Sequence, residues 1–108
     1  MKNLNNNVFL NKIYQKIKNG EFDNDLNLPF MTKELLYVSI KNKIQKKIDT
    51  GGTPILSNNE IKDCISEIKE TALYIVSIYL KLGFMKRTDE GYEFTDKMSK
   101  AIKAAYRS

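Results

Sequence analysis

The chain has 108 residues, 42% of them hydrophobic and 29% charged, with a net charge of +5 and a pI near 9.3. That length and balance describe one globular domain, and the excess positive charge favours an anionic partner. With no His and one Cys, Cys64, a histidine-based catalytic triad and a Cys/His zinc site within one chain are both excluded, and the lone thiol suits a reducing cytoplasm.

Residues 1–7 are rich in Asn and read as a disordered N-terminus, without the apolar core of a signal peptide. In residues 8–18, Phe9, Ile13 and Ile17 recur every fourth position with Val8 and Leu10 alongside, which predicts an amphipathic helix stopped at Asn19-Gly20. Residues 21–30 are acidic and contain Pro29, a connection. Thr32 can cap a helix over 33–49, where Leu36, Ile40, Ile44 and Ile48 form the apolar stripe, and Lys41, Lys43, Lys46 and Lys47 lie mostly off it. Thr50-Gly51-Gly52 ends that helix, and Thr53-Pro54-Ile55-Leu56 reads as a short extended strand.

Ser57-Asn58-Asn59-Glu60 has the form of a capping box. The helix behind it places Ile61, Cys64, Ile65 and Ile68 inward and turns at Lys69-Glu70. A second helix over 71–82 stops at Gly83, with Ala72, Ile75, Val76, Tyr79 and Leu82 as its core stripe. A hairpin follows: Phe84-Met85-Lys86-Arg87, a turn at Thr88-Asp89-Glu90-Gly91, then Tyr92-Glu93-Phe94-Thr95. Thr95 can N-cap a last helix carrying Met98, Ile102 and Ala105. The predicted order is α-α-β-α-α-β-β-α, mainly helical with a small β-hairpin, and its last half has the arrangement of a winged helix-turn-helix. One such domain would span residues 8–108.

In that arrangement the hairpin is the wing. Its basic pair, Lys86 and Arg87, with Tyr92 beside it, can lie along a phosphate backbone or enter a minor groove. Lys69, Thr71 and Tyr74 occupy the first turn of the second helix, where free N–H groups and the helix dipole suit phosphate in the major groove. The charge does not peak there: residues 1–20 carry +4, 31–50 carry +3, 81–108 carry +3, and 51–80 carry −2. Lys41, Lys43, Lys46 and Lys47 are therefore secondary candidates for phosphate.

The helix over 71–82 is apolar on nearly every side. Beyond its core stripe it offers Leu73, Ser77, Ile78 and Leu80, and leaving a large apolar side chain wet forfeits roughly 1.5–3 kcal/mol. A homodimer covering this second face is the direct solution. No phosphate-binding glycine loop is present, the carboxylates of Asp23 and Asp25 have no basic or nucleophilic partner nearby in sequence, and no run approaches the ~20 apolar residues that span a membrane. The expectation is a cytoplasmic non-enzyme without cofactor or metal.

Ile55-Leu56-Ser57, together with Glu70-Thr71 through Met85, resembles the TubR family, small winged-helix dimers of tubulin-based plasmid and phage partition systems. The likeness covers about half the chain, from Asp49-Thr50-Gly51 through the last helix. It implies cooperative binding to repeated centromere sites on double-stranded DNA, repression of the protein's own operon, and coupling of that DNA to filaments of a tubulin-like GTPase. It also implies paired helix N-termini in one major groove, with wings in the flanking minor grooves. The hairpin here departs from the family in its short turn. Two other functions fit the same fold: an ordinary winged-helix transcriptional repressor, and a winged-helix protein–protein adaptor without DNA binding.

Overall fold

The structure, a computed structural model, describes residues 8–107. The expectation for residues 1–7 falls outside them. Among the described residues the chain is mainly helical, with four α-helices and one two-stranded antiparallel hairpin: α1 (Val8–Lys18), α2 (Lys33–Asp49), α3 (Asn58–Lys81), β1 (Met85–Thr88), β2 (Gly91–Phe94) and α4 (Asp96–Arg107). A single 3-10 turn, Asp23–Asp25, lies between α1 and α2. The chain divides into two compact units. One holds the chain up to Asn27 and Met31–Lys69; the other holds Leu28–Phe30 and the chain from Glu70 on.

In the first unit α1 and α2 pack on each other, and the first half of α3 joins them. Leu36, Ile40, Ile44 and Cys64 are fully buried, with Leu10, Ile13, Ile17, Leu56 and Ile61 around them. The α2 stripe is the predicted one. On α1 the buried side chains are Leu10, Ile13 and Ile17; Phe9 is half-buried and Val8 is exposed, so the buried stripe begins one position later than expected.

Both predicted N-caps of this unit form. The Leu35 N–H donates to the Thr32 hydroxyl at 3.1 Å. At α3 the Glu60 N–H donates to Ser57 Oγ at 3.2 Å while the Ser57 N–H donates to Glu60 Oε1 at 3.1 Å, a reciprocal capping box. Lys47 then reaches over, donating to Glu60 Oε1 and to the Ile55 carbonyl, each at 2.7 Å.

Two predicted elements do not form. Residues 53–56 bend at Pro54 and belong to no sheet: Pro54 has no N–H to give a ladder and Lys47 occupies the Ile55 carbonyl. The turn at Lys69-Glu70 is absent: α3 runs unbroken for 24 residues. Every residue between the Ser57 cap and Gly83 tolerates a helix, and no Gly or Pro interrupts. The observed order of regular elements is α-α-α-β-β-α.

In the second unit the latter half of α3 buries Ala72 and Val76, with Ile75, Tyr79 and Leu80 half-buried. Leu82, expected in this stripe, is exposed because it falls past the last turn of the helix. Gly83 (φ 78°) supplies the left-handed residue that lets the Gly83 N–H reach the Leu80 carbonyl (3.1 Å) and the Phe84 N–H reach the Tyr79 carbonyl (2.9 Å). The same turn sets Phe84 against Tyr79, with ring centroids 6.1 Å apart. Phe30 enters this cluster from the connection, edge-on to Tyr79 at 5.1 Å, and holds a positive φ of 72° to do so. Phe94 lies near both rings, and the Lys97 ammonium sits 5.4 Å above Phe84. At the start of α4 the Thr95 hydroxyl, expected to cap the helix, instead donates to the Gly83 carbonyl at 2.6 Å, and Lys97 donates to the Leu82 carbonyl at 2.7 Å, which ties α4 to the end of α3.

Candidate nucleic-acid interface

The hairpin is built as predicted. Strand register pairs Met85 with Phe94, Lys86 with Glu93, Arg87 with Tyr92 and Thr88 with Gly91, so Asp89 and Glu90 form a two-residue loop. Side chains alternate across a strand. Buried Met85 fixes the inner side, and Lys86 and Arg87 therefore stand on opposite faces of the ribbon. Lys86 pairs with Glu93 at 3.0 Å, both well exposed. Arg87 is also exposed and is the register partner of half-buried Tyr92. The loop adds two carboxylates at the tip, so residues 85–94 hold two cations and three anions. Arg87 is the hairpin's principal phosphate candidate, and Lys86 is partly neutralised where it stands.

The helical half of the predicted site is rearranged. Lys69, Thr71 and Tyr74 lie in the interior of α3, so the N–H groups of this stretch belong to the helix ladder rather than to a free N-terminus. No free helix end is offered to an anion at this position. Residues two apart on a helix do not face the same way. Lys69 thus points away from Thr71, while Thr71 and Tyr74, three apart, share a side.

The expected second apolar face is there and is uncovered. Leu73 is 41% exposed, Tyr74 68% and Ile78 37%, with Ser77 exposed between them and Leu80 half-buried at the edge. Ser77 Oγ donates to the Tyr74 carbonyl at 2.7 Å, which keeps the hydroxyl occupied within the helix. Tyr74 lies within this face rather than beside it, among the residues expected at a dimer interface. Exposed Leu82 extends the face by one residue that periodicity alone assigned to the core.

Two of the four α2 lysines have anionic partners. Lys47 is bound to Glu60 at 2.7 Å and Lys43 lies 3.9 Å from Asp63, whereas Lys41 and Lys46 are exposed. The capping carboxyl of Glu60 is held below its usual value, first by the Lys47 hydrogen bond and then by the Ser57 N–H. Burial pushes the Cys64 thiol up despite a hydrogen bond from Ser39, which makes it a poor nucleophile and a packing residue. Among the described residues no three Cys, Asp or Glu side chains converge as a metal site would require, and no helix is long and apolar enough to cross a membrane.

One feature had no signal in the sequence. An open, mainly apolar groove of about 390 Å³ lies along α1 and α2, lined by Tyr14, Ile17, Lys18, Lys33, Tyr37 and Val38. Tyr14 and Tyr37 meet edge-on in it at 5.3 Å. The two tyrosines come from different helices, so only tertiary packing brings them together.

Set against known protein families, curated proteins and solved structures, the chain matches none.

Proposed function

We propose that the protein binds double-stranded DNA as a homodimer, with the hairpin as its wing and the outer face of α3 as its dimer surface. The observation that carries this reading is the apolar face of Leu73, Tyr74 and Ile78, left open on a helix that leads directly into a hairpin with an exposed arginine. A winged-helix protein uses that order of helix and ribbon. Arg87, with Tyr92 behind it, takes the phosphate or minor-groove contact; Lys41 and Lys46 add sequence-independent phosphate contacts. Lys69 and Thr71 contribute as side chains only, since the helix offers no free end there.

The resemblance to TubR extends the proposal to a biological role: binding repeated centromere sites, repressing the neighbouring operon, and linking the DNA to a tubulin-like filament. A second reading has its own support. The hairpin carries more anions than cations and α3 runs straight through the expected turn, which favours a protein–protein adaptor that does not bind DNA.

Titration of DNA carrying tandem repeats, followed by fluorescence anisotropy at several salt concentrations, separates these readings. Binding should weaken steeply with salt, and Arg87→Ala should lower affinity and reduce the log–log salt slope by about 1, one phosphate contact. Unchanged binding by the variant removes the wing from the interface. A flat response of the wild type to any duplex at low salt favours the adaptor.

A further inference from the structure

Burial in the hairpin is concentrated at its base. Met85, the first residue of β1, is buried, whereas every residue from Lys86 to Glu90 is exposed. A two-stranded ribbon is at best marginally stable in water by itself. What packs at the base therefore decides where the ribbon, and Arg87 with it, stands.

Three rings meet there from the stretch of chain between α3 and α4. Phe84 precedes β1, Phe94 ends β2 as the register partner of Met85, and Tyr79 on α3 lies 6.1 Å from Phe84 and 6.5 Å from Phe94. A fourth ring comes from far away in sequence. The chain joins this unit for three residues, Leu28–Phe30, and leaves it again at Met31. The Phe30 ring stands edge-on to Tyr79 at 5.1 Å and edge-on to Phe94 at 6.3 Å. Both are favourable aromatic geometries, and together they join the helix to the last residue of the hairpin through one side chain.

The backbone at this point would suit a different residue. Among the described residues Phe30 alone, outside the glycines, has a positive φ, at 72°. Glycine adopts that conformation without strain, and a bulky side chain does not. Strain of this kind persists only where the surroundings over-determine it. At Phe30 the surroundings that do so are the ring's partners, Tyr79 and Phe94. Pro29, with its fixed φ, restricts the approach and leaves the segment less freedom to lose on docking.

We infer that Phe30 is a positioning residue for the hairpin: its ring braces Phe94 against Tyr79 and so fixes the direction of the ribbon that carries Arg87. Only the consequence for DNA rests on the wing reading proposed above; the brace is a property of the fold.

Hydrogen exchange of the full chain, followed by NMR, tests the brace. Phe30→Gly removes the ring and relieves the backbone, so a residue serving only the turn would leave the hairpin amides unchanged. A brace requires the opposite. Amides of residues 85–94 should exchange at least about tenfold faster in the variant, while those of α1 and α2 keep their wild-type rates. Phe94→Ala, at an exposed position, should loosen the hairpin to a similar degree, and the double variant should go little further, because the two rings share one contact. Unchanged hairpin exchange in Phe30→Gly, or acceleration spread evenly over the chain, would overturn the brace. Anisotropy with duplex DNA then reads the placing of Arg87. Phe30→Gly should weaken binding no more than Arg87→Ala does, and in an Arg87→Ala background it should change affinity by less than about twofold, since the contact it positions is already gone. Losses that multiply independently would overturn its role in placing Arg87. A wild type that binds no duplex sinks the DNA reading, and the exchange rates alone then decide the brace.

Discussion

At the residue scale, Glu60 does more than cap a helix. Its carboxylate accepts from the Ser57 N–H and from Lys47, and Lys47 in turn holds the Ile55 carbonyl, so one ion fixes the path of the chain from 55 to 60. Those donors hold the carboxyl below its usual 4.5. A carboxyl with a lowered folded-state pKa contributes stability that is fully present above its unfolded value and is lost as pH falls through its folded one. Thermal unfolding followed from neutral to acid pH should therefore show a loss of midpoint beginning near the ordinary carboxylate range and continuing below it. Glu60→Gln should flatten that part of the curve and lower the plateau at neutral pH. An identical pH profile in the variant would remove the Lys47–Glu60 pair from the account.

At the scale of elements, α3 decides how the rest is read. A bend at Lys69-Glu70 would create a free helix end; an unbroken helix denies it. Amides of residues 70–73 lie mid-helix and should exchange with solvent as slowly as their neighbours at 66–69, measured by hydrogen exchange and NMR. Fast exchange confined to 70–73 would restore the turn. The helix starts at Thr32 and Ser57, the stops at Gly20, Gly51 and Gly83, and the hairpin with its register were all legible in the sequence, because caps, left-handed glycines and alternation are local signals. The turn at 69–70 was inferred from the pattern of a fold, and nothing local required it. The strand at 53–56 was inferred in the same way and lost its partner to a lysine 8 residues upstream of Ile55. Of the candidate site, the opposite facing of Lys86 and Arg87 follows from strand period alone. The Lys86–Glu93 pair follows from the hairpin register, whereas the Lys43–Asp63 pair depends on which helix lies alongside.

At the scale of the whole molecule, two compact units share one chain, each with its own buried apolar set. The unit that carries the hairpin also carries the exposed apolar face of Leu73, Tyr74 and Ile78. Leu73→Glu puts a charge into that surface without touching either core. It should shift a dimer to monomer in light scattering while leaving the far-ultraviolet signal of α1 and α2 intact. A variant that remains dimeric would place the interface elsewhere on the molecule.

The two-stranded ribbon has a further consequence for behaviour in a crowded cell. Each strand has one neighbour and one open edge, and open edges recruit extended chain from other molecules. Lys86, Arg87 and Glu93 line those edges with charge that a newly added strand would have to dehydrate. Replacing the Lys86–Glu93 pair with two valines would raise the ribbon's tendency to form strands while removing that deterrent, so the ribbon would template aggregation.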